Sequence, residues 1–323
     1  MTHTWSFSNS HLFRRCQRQW FFKTVWANAL AKDPRRHEAY VLSKLRTVAA
    51  WRGSLVDHVV SRRVMPALLK GWSISQESIL DYARTLFNDQ FQFALAHRIR
   101  EPGITPSEAG EAFAAFHAVE YETGVGEIEK AQAWKEVHLA LSNLLEMSDF
   151  LKLLRTAEHL IPQRTLTFSH YGTTVRAVPD LIAFFNNRPP LIVDWKVHAY
   201  ASQDYRLQLA CYAISLTSCD AHRDFPLSLG LYKTTDIRLL EVQLLRAQHR
   251  EYTLTDLDVA DVSTFISQTA MQMALALGSG SHNQLTPFDL PASTRPDACQ
   301  NCNFRSLCWE ESKWQEWKQT SFL

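Results

Sequence analysis

No apolar run in this sequence approaches the roughly 20 residues that a membrane-spanning helix requires. The opening residues, MTHTWSFSNS, lack a basic stretch followed by an apolar one, so no signal peptide is expected and the chain reads as soluble and cytoplasmic. Cysteine is sparse. Six in 323 residues argue against a disulfide scaffold, and a reducing compartment would oppose one. Cysteines that do cluster are therefore expected to bind metal. There is no internal repeat, no low-complexity tract and no G-x-x-x-x-G-K-S/T loop, so any nucleotide-driven motor would have to be another subunit.

What the chain does have is apolar content, 46% hydrophobic and 11% aromatic, enough for one large core or two modest ones. Its net charge is only +1, but the signs are unevenly placed. Residues 1–70 carry 13 lysines and arginines against three acids (Asp33, Glu38 and Asp57), and the remainder carries 21 basic and 30 acidic residues. A basic segment on a nearly neutral chain points to a localised polyanion contact, a solvated helix surface being the plainer alternative.

The pattern from Asn9 to Trp20 suits a helix capped by Ser8, and residues 39–70 read as one or two more. Residues 76–158 are predominantly helical, interrupted by the breaker EPGITP. The character changes at Pro162. RTLTFSHYG, TTVRAVPDLIAFF and LIVDWKVHAY are β-rich, QDYRLQLACYAISLTS is helical, PLSLGLYKT and IRLLEVQLL read as strands, and a helix follows near 255–277. This order predicts an α/β fold with a central mixed sheet flanked by helices. Four segments are expected: N-terminal helices over 1–70, a helical insertion over 71–158, the core over 159–280 and a cysteine-bearing segment over 281–323.

The chemistry is densest in VRAVPDLIAFFNNRPPLIVDWKV. If NNRPP closes a hairpin centred near Asn187, Asp180 and Asp194 lie seven residues to either side and face each other across antiparallel strands. Strand alternation puts Lys196 on their face and Trp195 on the other. Two carboxylates so placed repel unless a cation neutralises them, and hard oxygen donors suit Mg²⁺ or Mn²⁺. Such an ion would polarise a phosphodiester and acidify a water, with Lys196 positioning that water and stabilising the developing charge. Asp57 and Asp204 are assigned to solvent.

A second cluster lies near the end. CQNCNFRSLC sets Cys299, Cys302 and Cys308 in C-x2-C-x5-C, one thiolate short of a tetrahedral metal or a cluster. Cys16, Cys211 and Cys219 compete for the fourth place. Cys211, inside the apolar QLACYAISL run, and Cys219 just after it read as packing residues.

Asp180 followed by Asp194-Trp195-Lys196 resembles the PD-(D/E)XK nuclease superfamily. His58 in GSLVDHVV, Gln208 and Tyr212 in QLACY, and SNSHLFRRCQRQWFF are similar to motifs of its RecB-like branch, which includes the AddB nuclease domain and CRISPR-adaptation nucleases. The resemblance implies a restriction-endonuclease-like core and a Mg²⁺- or Mn²⁺-dependent deoxyribonuclease, exonuclease-like on single-stranded or end-containing DNA. Repair, CRISPR adaptation and antiphage defence all suit it, with a helicase or other ATPase as a partner. It assigns the metal to His58, Asp180, Asp194 and the backbone carbonyl of Trp195, and gives Lys196, Gln208 and Tyr212 supporting roles in catalysis. Cys16 with the C-terminal triplet resembles a 4Fe–4S staple joining the two ends of the chain, zinc being the alternative. Arg14, Arg15 and Arg18 beside Cys16 are then placed to meet DNA phosphates. Trp20, Phe21 and Phe22 are candidates for base stacking, with core packing expected of at least two. The competing reading is a catalytically silent, nuclease-like DNA-binding or scaffold subunit. Aspartate at the first position of the E-x-K element is a permitted departure that shortens the ligand arm.

Overall fold

The structure, a computed structural model, describes residues 4–122, 124–198, 205–220, 222–278 and 285–309. Asp204 lies outside them. Chain segments interleave into two compact units: Met1–Phe7, Arg52–Phe87 and Glu127–Ala270 make one, and Ser8–Trp51, Asn88–Gly126 and Met271–Leu323 the other. No helix among the described residues is long and apolar enough to cross a membrane.

The first unit is mixed α/β. Its strands are β1 (Thr4–Trp5), β2 (His159–Pro162), β3 (Leu166–His170), β4 (Thr173–Ala177), β5 (Leu181–Phe185), β6 (Arg188–Lys196), β7 (Arg238–Gln243) and β8 (Gln248–Tyr252). They form a three-stranded sheet, β1-β4-β3, and a five-stranded sheet, β2-β5-β6-β7-β8. Strands β5 and β6 are buried on both faces, which is why LIAFF and LIVDW read as continuous apolar runs rather than alternating ones. The helix Tyr205–Ser218 links β6 to its parallel neighbour β7 and packs on both, covering the sheet as such a crossover must. The polar strand β8 closes one edge, where charged side chains discourage further pairing.

The hairpin register decides where the chemistry sits. Phe185 pairs with Arg188 across a two-residue turn, Asn186-Asn187, with Asn187 in the left-handed region at φ 55°. Carried inward unchanged, that register would set Asp180 against Val193. A shift between Ala183 and Phe185 moves the pairing by one residue, to Ala183–Leu191, Ile182–Ile192 and Leu181–Val193. The next pair in that register is Asp180 with Asp194. A one-residue slip would have sent one of them to the opposite face. Arg188-Pro189-Pro190, expected in the turn, belongs to β6.

The second unit is helical. Phe22, Ala39, Leu42, Leu45, Ile99, Ala115 and Phe304 form its core, with Cys302, Leu307 and Cys308 packed against it. Phe22 and Phe304 stack with ring centroids 5.2 Å apart and 12° between planes. The C-terminal cysteine segment is also tied down by polar contacts: Tyr121 donates to the Asn303 carbonyl at 2.6 Å, and Asn303 donates to the Leu45 carbonyl at 2.9 Å.

Three local expectations are corrected. The helix foreseen over Asn9–Trp20 begins at Phe7 and breaks at Cys16, whose extended backbone (φ −162°) caps a second helix, Gln17–Phe21. Trp20, Phe21 and Phe22 are at most 1% exposed, so none is available to stack on a base. PLSLGLYKT is not a strand. Leu227–Leu231 is a 3₁₀ helix, in keeping with the preceding Pro226 and with Gly230, both poor strand residues.

Candidate active site

Asp180 and Asp194 converge as the register requires, Asp194 buried and Asp180 half-buried. Asp180 Oδ2 accepts the Trp195 backbone N–H at 2.8 Å, bridging the ends of the two strands. Asp194, 2% exposed, is ion-paired through Oδ2 with Lys196. Trp195 points away, edge-on to Phe150 at 5.9 Å. Lys196 Nζ also donates to Gln208 Oε1 at 3.1 Å and lies 4.5 Å from the centre of the Tyr205 ring. Gln208 Nε2 in turn donates to Tyr212 Oη at 2.6 Å, one turn along the same helix. Lysine, glutamine and tyrosine are thus one relay that fixes the ammonium.

Burial raises the pKa of Asp180 well above the usual carboxylate range, and Asp194 and Asp57 raise it further. Asp194 is raised as well: burial is the largest cause, Lys196 opposes it, and Glu241 adds to it. Glu241 is 1% exposed on β7, at the position paired with Asp194, where Tyr252 donates to it at 2.6 Å. Asp57, Asp180, Asp194 and Glu241, four acids around one ammonium, leave a local excess of negative charge that favours a bound cation.

Asp57, assigned to solvent from the sequence, is instead part of this group. Burial first, then Asp194, push its carboxyl up to about 6, against the pull of a hydrogen bond from Gln163. Gln163 Nε2 donates to Asp57 Oδ1 at 2.9 Å and to Asp180 Oδ1 at 3.1 Å, tying the two carboxylates together. Its own backbone N–H reaches the Asp180 carbonyl at 3.1 Å, extending the β2–β5 pairing by one step. His58, expected at the metal, has Nε2 3.2 Å from Tyr82 Oη. Consecutive helix residues diverge by about 100°. The helix Val48–Val59 directs Asp57 toward the aspartates and His58 toward Tyr82.

The second unit gathers the four cysteines. Burial raises Cys299, Cys302 and Cys308, Cys302 to about 12; Cys16 and Cys308 push Cys299 and Cys302 up further. Cys16 Sγ accepts the backbone N–H groups of Gln19 and Ser293, each at 3.4 Å, and Arg18 lies 3.6 Å from Cys308 Sγ. Cys211 is buried in the Tyr205–Ser218 helix. Among the described residues, no three His, Cys, Asp or Glu side chains are drawn together closely enough to hold an ion as they stand.

The arginines beside Cys16 divide. Arg18 donates to the Leu290 carbonyl at 3.1 Å and lies over Phe288, and Arg15 donates to the Asp297 carbonyl at 2.7 Å, so both hold the C-terminal segment. Arg14, Arg15, Gln17, Gln272 and Arg295 line an open groove alongside Cys16.

An aspartate pair and a lysine, presented by a hairpin inside a mixed sheet, make a D-x-K arrangement. The chain belongs to the PD-(D/E)XK nuclease superfamily, which it matches over residues 4–309. Membership carries a nuclease-type hydrolase chemistry, and the mixed sheets with flanking helices agree with the restriction-endonuclease-like core expected of it. Nucleases of this superfamily generally use divalent metals such as Mg²⁺. A solved structure described as "Crystal structure of SSO0001" is 14% identical, covering 70% of this chain and 95% of that one, at a TM-score of 0.26. No curated protein matches the chain.

Proposed function

We propose that the protein is a divalent-metal-dependent deoxyribonuclease, exonuclease-like on single-stranded or end-containing DNA, serving repair, CRISPR adaptation or antiphage defence beside a helicase or other ATPase. The observation that carries this reading is the convergence of Asp180 and the buried Asp194 with Lys196 in an acid-rich setting. The donors fit a hard cation: Asp180, Asp194 and the Trp195 carbonyl are oxygen ligands, and their mutual repulsion is relieved by positive charge. Asp57 is the third carboxylate, in the place first given to His58. When bound, Mg²⁺ or Mn²⁺ polarises the phosphodiester and lowers the pKa of a water.

The chain's own residues do the rest. Lys196, held by Asp194 and Gln208, orients the attacking water and stabilises the charge that develops on phosphate oxygen. Gln208 fixes that ammonium, and Tyr212 fixes Gln208. Arg14 and Arg15 give the groove beside Cys16 the charge to follow a strand backbone.

Cys16, Cys299, Cys302 and Cys308 are assigned a 4Fe–4S cluster, zinc being the alternative. Four thiols from two distant segments, with two backbone N–H donors and one guanidinium at their sulfurs, suit a sulfur-ligated cluster. By linking those segments the cluster stabilises the second unit.

The test is digestion of linear, end-blocked and circular DNA, single- and double-stranded, with Mn²⁺, Mg²⁺ or EDTA. Metal-dependent loss of linear DNA is expected, abolished by Lys196→Met. Equal cutting by that variant, or none by the parent chain with any metal, would defeat the proposal.

A further inference from the structure

The helix bearing Asp57 changes pitch just beyond it. Val48–Val59 is α-helical, Val60–Val64 is a π-helical turn, and α-helix resumes over Met65–Leu69. In an α-helix residues 58 and 63 would point about 140° apart. A π turn closes i→i+5 instead, so it brings a pair five apart toward one face, and turns of this kind recur at functional sites. Here the pair is His58 and Arg63. Both meet one tyrosine of the helix Gln76–Ala96: His58 Nε2 lies 3.2 Å from Tyr82 Oη, and the Arg63 guanidinium stacks 4.1 Å from the Tyr82 ring centre.

We infer that His58, Arg63 and Tyr82 form a phosphate-binding element, which takes a non-bridging oxygen of the nucleic-acid strand beside the phosphodiester to be cut. The inference rests on the nuclease reading and deepens it. Arg63 is exposed, so a strand can reach it. Its guanidinium is planar, permanently charged and shaped for bidentate contact with phosphate, and stacking on Tyr82 orders it beforehand. Imidazole and phenol add hydrogen-bond donors without adding fixed charge. The position is also right for the purpose. His58 directly follows Asp57, so the helix offers a carboxylate to the acid cluster and, one residue on, a donor set for the phosphate. The extra residue in the π turn is what lets Arg63 share the Tyr82 contact with His58. His58 thereby moves from the metal to the substrate.

Two measurements on the full chain separate these roles. Binding of a single-stranded oligodeoxynucleotide and its duplex, measured in EDTA between about 50 and 200 mM salt, reports the phosphate contact. Arg63→Gln should weaken binding about tenfold and reduce the salt slope by about one, the signature of one lost phosphate contact. His58→Gln and Tyr82→Phe should weaken binding a few-fold at an unchanged slope. Calorimetric titration with Mn²⁺ alone should give parental affinity in all three variants. Loss of Mn²⁺ affinity in His58→Gln with DNA binding intact would return His58 to the metal and overturn the inference. Unchanged affinity and slope in Arg63→Gln would overturn it too, while leaving the nuclease reading standing. A parent chain that binds no DNA would bring down both.

Discussion

Replacing Asp57 by asparagine should make the metal-free protein more stable and the metal-loaded protein less so. The Asp57 carboxyl is raised from 3.8 to about 6 by burial and by Asp194. A tenfold change in proton affinity is worth about 1.4 kcal/mol, so the full electrostatic figure is about 3 kcal/mol. Solvent and local relaxation reduce it, and about 1.5 kcal/mol is a fair expectation for a group only partly shielded. Asparagine keeps an oxygen for the Gln163 amide, so that hydrogen bond survives. The sign follows from linkage. A carboxyl whose folded pKa is raised contributes stability below its unfolded value near 3.8, and that contribution is lost as pH rises through about 6. Above that range, in EDTA, Asp57→Asn should therefore melt higher by roughly 2 °C, and its melting point should depend less on pH between about 4 and 6.5. Saturating Mn²⁺ reverses the order: a ligand at a hundredfold its dissociation constant stabilises by about 2.7 kcal/mol, and the variant should gain less. Thermal melts by circular dichroism, with and without Mn²⁺, read both effects. A variant that melts lower in EDTA, or gains as much from Mn²⁺ as the parent, would remove Asp57 from the acid cluster.

Other expectations can be checked as directly. Phe22→Ala removes a ring that is 1% exposed and stacked on Phe304, so it should cost about 3–5 kcal/mol and loosen the C-terminal cysteine segment, read by denaturant melts and limited proteolysis. Protein purified without oxygen should be coloured and carry about four irons per chain; Cys299→Ser should lose both, whereas colourless protein with one zinc would contradict the cluster.

The site is legible in the sequence where chemistry and periodicity coincide. Strand alternation alone places Asp194 and Lys196 on one face and Trp195 on the other. Hairpin symmetry likewise sets Asp180 against Asp194, although the chain reaches that pairing differently: a tight Asn186-Asn187 turn is offset by the register shift at Ala183–Phe185. Nothing in LIAFF announces that shift, because it depends on packing of a strand buried on both faces. Asp57 escapes the sequence for a related reason. Asp57 and His58 are adjacent on one helix, and only tertiary packing decides which faces inward. Glu241 does carry a signal, as a lone acid in the apolar run IRLLEVQ. Strand β8, QHREY, carries none, since an exposed edge strand has no apolar alternation to read. The break at Cys16 is equally silent, for FRRCQRQWFF contains neither glycine nor proline.

If Asp180 and Asp194 hold a divalent cation used to hydrolyse a phosphodiester, cleavage and metal binding must fail together when one carboxylate is removed. The Mn²⁺ dependence of single-turnover DNA cleavage, in the parent chain and in Asp180→Asn, tests this without intermediaries. The parent should show a saturable rise in rate. Asp180→Asn should show no cleavage at any Mn²⁺ concentration, together with loss of calorimetric Mn²⁺ binding. Cleavage by the parent in EDTA, or an unchanged Mn²⁺ curve in Asp180→Asn, would contradict a metal held by these two aspartates.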